Sequence, residues 1–154
     1  MIRAWRLVKS RHASTAFDGE GAKRHGARWN SPGTLVAYAS EHVALAVLEV
    51  LVHLQASAIL DSFSLASVRF PPGIIEDLDV SALPARWRRY PAPRETRAIG
   101  DAWVSDRRSA VLRVPSAIVA SADNFLLNPA HADFARITVE PPEPFEFDPR
   151  LLRY

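Results

Sequence analysis

The sequence predicts an α+β fold in one compact domain spanning residues 1–154, built from short twisted strands and a few helices. Short strand patterns outnumber helical ones, and turns rich in proline and glycine join them. No regular strand-helix-strand alternation indicates a doubly wound sheet. With 154 residues, 48% of them hydrophobic, the chain has the size and apolar content of a single domain with a buried core.

The first half of the chain carries two strand patterns and then the strongest helical pattern. Residues 3–8 and 35–39 predict strands, and a long polar loop lies between them. An apolar-rich helix is expected over residues 43–54. Ser40 is its expected N-cap, and Glu41 is a favourable acidic residue in its first turn.

The second half predicts further short strands around one more helix. That helix is expected over residues 94–108, with Ile99 and Trp103 on its buried side, and residues 84–93 are expected to be irregular. Strands are expected over residues 62–70, 74–83 (ending in a turn), 110–114, 117–120 and 134–139, and residues 145–154 close the chain.

Composition excludes several classes of protein. The chain has no run of about 18 apolar residues that could span a bilayer. Its first residues lack the apolar core of a signal peptide, so we expect a cytoplasmic protein with no membrane partner. The absence of cysteine excludes disulfides, thiolate metal ligands and a cysteine nucleophile.

Charge is spread unevenly along the chain. The first thirty residues carry seven Lys/Arg against two acids, and residues 86–113 carry eight against three. Such asymmetry can indicate nucleic-acid binding, which keeps an RNA-targeting protein open as an alternative. Only two of the nineteen basic residues are lysines, and no dense basic run interleaves with aromatic residues. We therefore expect no direct nucleic-acid partner.

A glycine-rich basic loop precedes the second strand pattern. Its glycines let backbone amides approach a phosphate, and Arg28 could hold that phosphate with two parallel hydrogen bonds. Gly21 and Gly26 have Walker A spacing, but Ala27 and Arg28 stand where that motif needs Lys and Ser/Thr. The glycines also miss the dinucleotide-binding spacing. The alternative interpretation is an ordinary surface connection.

Glu49 lies in the middle of the apolar helix. A carboxylate there must be at a solvated edge, paired, or lining a pocket. His42 and His53 lie on roughly the same side of the helix, but His42 is about two turns away, so we expect no metal site.

Ser116 follows Pro115 between two apolar runs. It could be an ordinary turn serine, or its hydroxyl could face a pocket. No histidine is placed to activate it, so a hydrolase triad has little support. The four tryptophans, Trp29 among them, suit the core or the walls of a pocket.

Five segments in order resemble the RES domain family, and the resemblance covers nearly the whole chain. They are GARWNSPG (26–33), VAYAS (36–40), ALAVLE (44–49), VPSA (114–117) and NFLLNP (124–129). The resemblance implies a single RES domain over residues 1–154. It also implies a bacterial type II toxin with a fold similar to ADP-ribosyltransferase toxins, acting on NAD as its substrate and using no cofactor. It further implies a cognate antitoxin with an Xre-like helix-turn-helix, and a toxin able to form a homodimer within that complex.

The family's functional residues can be assigned position by position. The resemblance places the catalytic arginine, tyrosine, glutamate and serine at Arg28, Tyr38, Glu49 and Ser116. It also implies a substrate-binding set made of Arg6, Trp29 and Asn124.

Each assigned group suits cleavage of the nicotinamide N-glycosidic bond. Glu49 would stabilise the positive charge that develops on the ribose. Arg28 would hold the pyrophosphate, Tyr38 would orient the nicotinamide ribose, and Ser116 would hydrogen-bond ribose or phosphate. The acceptor can be water, phosphate or a protein side chain. A glycohydrolase, a phosphorylase and an ADP-ribosyltransferase that modifies a cellular protein therefore all remain open.

Overall fold

A computed structural model describes residues 1–55, 58 and 61–152, and within them the predicted α+β class is confirmed. The strands are β1 (Ile2–Lys9), β2 (Ala37–Ser40), β3 (Phe63–Phe70), β4 (Ile75–Asp77), β5 (Val111–Pro115), β6 (Asp123–Leu127), β7 (Thr138–Val139) and β8 (Glu143–Phe145). The α-helices are α1 (Glu20–His25), α2 (Val43–Leu51) and α3 (Arg94–Ser105), and short 3-10 turns connect several of the elements.

All eight strands join one sheet, in the order β4-β5-β6-β2-β1-β3-β7, with β8 also pairing with β3. Among the strands of the described residues, only β4 and β5 pair in parallel, and the other pairs are antiparallel. In the middle of the sheet Ser40 of β2 lies opposite Trp5 of β1 on one side and Asn124 of β6 on the other. Polar and aromatic residues from three strands therefore meet at this point.

The core lies on both faces of the sheet because its central strands alternate buried side chains between the two faces. On one side Phe70 and Phe125 pack edge to face, with ring centroids 5.3 Å apart. On the other, Trp103 of α3 packs with Leu112 and Leu126, and all three are fully buried.

Helix α3 fixes the segment before β2. A Cβ at Gly100 would lie 1.6 Å from the Trp29 carbonyl oxygen, so only glycine lets the helix approach this backbone. At the next residue, the Asp101 carboxylate accepts a hydrogen bond of 2.8 Å from the backbone amide of Ser31. Burial opposes ionisation of Asp101, but hydrogen bonds from Ser31 and Thr34 hold its pKa below the usual value.

The strands predicted over residues 3–8 and 62–70 and the helix over 94–108 are confirmed with small changes at their ends. The prediction of a long polar loop between the first two strands is wrong in part, because this segment contains α1. Residues 117–120 form a turn, since the hydroxyl of Ser116 binds the backbone amides that a strand would use. Of the strand predicted over residues 134–139, only β7 forms. Residues 153–154, the end of the predicted closing segment, lie outside the described residues.

The helix around Glu49 begins at Val43 as predicted, but its N-cap and its end differ from the prediction. Helix α2 stops at Leu51, and its N-cap is His42. Ser40 is instead the last residue of β2, and its hydroxyl donates to Asn124. Glu41 accepts a hydrogen bond of 2.8 Å from the Asp123 amide, which ties the start of α2 to β6.

Candidate active site

A cleft of about 1000 Å³ opens where α1, α2, the central strands and the segment before α3 meet. Six of the seven residues selected from the sequence line this cleft: Arg6, Arg28, Trp29, Tyr38, Glu49 and Asn124. Ser116, the seventh, lies directly behind Glu49. Residues up to 118 positions apart in the chain therefore meet in one site, of a size suited to a nucleotide-like ligand.

Glu49 is held by two hydrogen bonds to the same carboxylate oxygen. Its Oε1 accepts from Ser116 Oγ at 2.9 Å and from Asn124 Nδ2 at 2.7 Å. Both donors come from outside helix α2, one after β5 and one on β6. They fix the orientation of the carboxylate and leave Oε2 without a protein donor among the described residues. A half-buried carboxylate held in this way is ready to face a ligand.

Asn124 is itself held in orientation. Its Oδ1 accepts a hydrogen bond of 2.7 Å from the hydroxyl of Ser40, its partner in the β2–β6 pairing. The Glu49 carboxylate can only accept, so the amide nitrogen of Asn124 faces it and the amide oxygen is left to accept from Ser40. Asn124 thus acts on Glu49 and also lines the cleft.

Ser116 does not reach the cleft. It is fully buried, and its hydroxyl donates to Glu49 while accepting from the amides of Ile118 at 3.1 Å and Val119 at 3.2 Å. This geometry disagrees with the expected hydrogen bond from Ser116 to ribose or phosphate, because the hydroxyl has no exposed surface to offer. The structure makes Ser116 a positioning residue for Glu49.

Arg28 divides its donors between the protein and the cleft. Its NH1 donates to the carbonyl oxygens of Trp87 at 2.7 Å and Arg89 at 2.9 Å. Burial lowers the pKa of Arg28, nearby Glu49 raises it, and Arg88 lowers it. An arginine with five N–H donors retains three after these two bonds, so Arg28 can still bind an anion.

Tyr38 presents its ring to the cleft while its hydroxyl donates to the fully buried Asn30. Asn30 in turn donates to the carbonyl oxygen of Ala22 at 2.9 Å, which joins α1 to the loop before β2. Burial raises the pKa of Tyr38 well above its usual value, while Trp29 and Arg6 oppose that rise. Tyr38 is therefore a neutral side chain that also braces the wall of the cleft.

Arg6 and Trp29 contribute to the walls in different ways. Arg6 donates to the Ala16 carbonyl at 3.0 Å. Burial lowers the pKa of Arg6, although the nearby Tyr38 and Asp18 raise it. Trp29 is only 2% exposed and packs on Trp87 with ring centroids 5.9 Å apart. Its indole therefore packs beneath the cleft and exposes little surface to it.

Several residues that line or support the cleft were not selected from the sequence as site residues, among them Asn30, Ser40 and Arg88. Asn30 and Ser40 lie in the family-like segments, but only their hydrogen bonds to Tyr38 and Asn124 show what they do. Arg88 lies in a segment predicted to be irregular, and nothing in its neighbourhood distinguished it from the other arginines there. The described residues contain no group of three or more His, Asp or Glu side chains that could hold a metal ion.

The RES domain family matches residues 3–148. The chain is 38% identical to Toxin Res of Yersinia enterocolitica over 96% of this chain and 97% of that protein. It is 39% identical to Toxin Res of Photorhabdus laumondii, over 97% of this chain and 96% of the relative. It is 35% identical to the Prs ADP-ribosylating toxin of Sphingobium, again over 97% of this chain and 96% of the relative.

Among solved structures, the fold is similar to the M. tuberculosis MbcT-MbcA toxin-antitoxin complex, with a TM-score of 0.78 at 17% identity. The match covers 98% of this chain and 86% of that one. The α+β fold is thus shared with a chain of that complex. This chain belongs to the RES domain family, as the sequence segments predicted. Across the described residues, no helix is long and apolar enough to cross a bilayer.

Proposed function

We propose that this protein is a toxin of a toxin–antitoxin system that cleaves the nicotinamide N-glycosidic bond of NAD. The observation that carries the proposal is Glu49, whose Oε1 is fixed by Ser116 and Asn124 while the carboxylate faces a cleft that also contains Arg28. This arrangement places one oriented negative charge and one positive charge in a space suited to a dinucleotide.

The reaction needs stabilisation of positive charge more than it needs an acid. As the bond between ribose and nicotinamide breaks, the ribose gains oxocarbenium character, and the Glu49 carboxylate would stabilise that charge. Nicotinamide leaves as a neutral molecule, so no proton donor is required. Arg28 would bind the pyrophosphate through one phosphoryl group with its remaining donors, and the Tyr38 ring would orient the nicotinamide ribose.

Transfer of ADP-ribose to a cellular protein is the second candidate function. One relative, 35% identical over almost the full length of both chains, is named an ADP-ribosylating toxin. Both reactions share the same bond cleavage and the same charged intermediate, and they differ only in the acceptor. The side chains described above would serve either reaction.

We also infer a protein partner. The structural neighbour is a toxin bound to its antitoxin, and an enzyme that consumes NAD needs such control in the cell that makes it. An Xre-like antitoxin that covers the cleft would block access to Glu49 and Arg28.

The direct test is to incubate purified protein with NAD, with and without inorganic phosphate, and to identify the products by mass spectrometry. Release of nicotinamide together with ADP-ribose or its 1-phosphate would support the proposal and name the acceptor. Labelling of a cell extract with radioactive NAD would reveal protein modification. If NAD remains intact under all of these conditions, the proposal fails.

A further inference from the structure

Residues 84–93, here called the strap, run along the cleft before α3 begins. Arg88, Tyr90, Pro91 and Ala92 of the strap line the cleft. The Trp87 and Arg89 carbonyls both bind Arg28, so the backbone on either side of residue 88 is anchored to the site arginine.

The side chain of Arg88 is anchored at a different place. Its Nε donates to the Ala117 carbonyl at 2.9 Å, and its NH2 donates to the Ile118 carbonyl at 3.3 Å. These carbonyls belong to the turn whose amides bind Ser116, which in turn holds Glu49. Arg88 is thus positioned by the same turn that positions the carboxylate.

The guanidinium groups of Arg28 and Arg88 therefore line the same cleft. The strap holds the first, and the turn after Ser116 holds the second. Within the described residues, neither Arg28 nor Arg88 forms an ion pair with a carboxylate. Burial is the larger cause of the lowered pKa of Arg28. Arg88 also lies close enough to Arg28 for its positive charge to lower that pKa further. Each retains three N–H donors. Glu49 attracts Arg28 across the cleft without forming an ion pair with it, so both guanidinium groups keep donors for an anionic ligand, and two such forks suit one with two phosphoryl groups.

We propose that Arg88 is a second phosphate-binding residue that makes the cleft selective for a pyrophosphate-linked dinucleotide over a mononucleotide. This inference rests on the proposed function for its substrate, and it deepens that function by assigning the selectivity to a residue of the strap. Arg28 alone could hold one phosphoryl group, whereas Arg28 and Arg88 together contact both.

The test compares Arg88→Gln with Arg86→Gln. Arg86 lies on the same strap but lines a neighbouring cavity outside the cleft, so it controls for the loss of one positive charge. Binding of inorganic pyrophosphate and of phosphate is measured by calorimetry. In addition, kcat/KM is measured for NAD and for nicotinamide mononucleotide, which has the same scissile bond and a single phosphate. Arg88→Lys is the second variant, because it keeps the charge but loses the planar fork.

We expect Arg88→Gln to weaken pyrophosphate binding about tenfold or more, the usual effect of losing a charge-assisted hydrogen bond. The ratio of kcat/KM for NAD to that for the mononucleotide should fall by a similar factor. Arg88→Lys should fall between Arg88→Gln and the wild type. Arg86→Gln should leave both quantities within twofold of the wild type.

Three results would overturn the inference. The wild type could bind pyrophosphate no better than phosphate, Arg88→Gln could match Arg86→Gln, or both substrates could lose activity equally, which would make Arg88 only an anchor for the strap. The calorimetry separates this inference from the proposed function. A protein that binds pyrophosphate through Arg88 but leaves NAD intact would refute only the function.

Discussion

At the scale of single residues, the charge of Glu49 is the group on which the proposed chemistry depends. Glu49→Gln keeps an oxygen that can accept from Ser116 and Asn124 but removes the negative charge. We expect NAD turnover to fall about a hundredfold or more, the usual effect of losing one electrostatic contact to a transition state. Melting temperature should change little. Glu95→Gln, an exposed residue of α3 outside the cleft, is the matched control. Turnover near the wild-type rate in folded Glu49→Gln would remove Glu49 from the mechanism.

Ser116 and Asn124 should act through Glu49, since both bind the same oxygen. Ser116→Ala and Asn124→Ala should each lower kcat about tenfold with little change in KM, because they loosen the carboxylate without removing it. The double variant should lose less than the product of the two single losses, since one missing hydrogen bond already frees the carboxylate to rotate. A rise in KM at constant kcat for Asn124→Ala would instead support the direct substrate contact expected from the sequence.

Tyr38 links the stability of the site wall to pH. Burial raises its pKa in the folded protein above the usual tyrosine value of about 10. Above about pH 10, the unfolded chain therefore releases a proton that the folded protein keeps, so Tyr38 makes the free energy of unfolding fall as pH rises. Below that pH its contribution is constant. In Tyr38→Phe this alkaline loss should be smaller. The variant should also be about 1–3 kcal/mol less stable at neutral pH, because the buried Asn30 Oδ1 loses its donor. Chemical denaturation of both proteins from pH 7 to 11 measures the two effects.

At the scale of elements, the packing of α3 on the loop before β2 depends on Gly100. A methyl group there would overlap the Trp29 carbonyl, and α3 cannot move away without exposing the fully buried Trp103. We expect Gly100→Ala to lose at least about 3 kcal/mol of stability or to fail to fold.

The matched control is Gly21→Ala in α1, where an added Cβ would meet no atom within 4 Å. It should gain about 0.5–1 kcal/mol, because alanine loses less conformational freedom in a helix than glycine. Thermal unfolding compares the two variants. Equal effects at both positions would show that the close approach of α3 does not govern stability.

At the scale of the whole molecule, the fold brings four arginines, Arg6, Arg28, Arg88 and Arg97, to one cleft in a chain whose formal net charge is only +2. An antitoxin segment that enters the cleft should therefore carry carboxylates. We expect the purified toxin to form a stable complex with the antitoxin encoded beside it and to stop consuming NAD. The association rate should fall with added salt. A stable complex that still consumes NAD at the rate of the free toxin would contradict inhibition by covering the cleft.

The sequence by itself determined the α+β class, the family and which polar residues belong together. Alternation, proline and glycine turns and an acid within an apolar helix are all local signals, and Glu49 was visible among Leu48 and Val50 for that reason. Local signals also predicted a strand over residues 117–120, which the hydroxyl of Ser116 converts to a turn.

Only the tertiary structure decided which residues of the candidate site contact one another. The bonds from Ser116 and Asn124 to Glu49 join residues 67 and 75 positions apart, and those from Arg28 to the strap span 59 and 61 positions. Such pairs are fixed by strand order and register, which no local pattern encodes. For the same reason, the burial of Ser116 behind Glu49 and the place of Arg88 beside Arg28 appeared only once the sheet had brought them together.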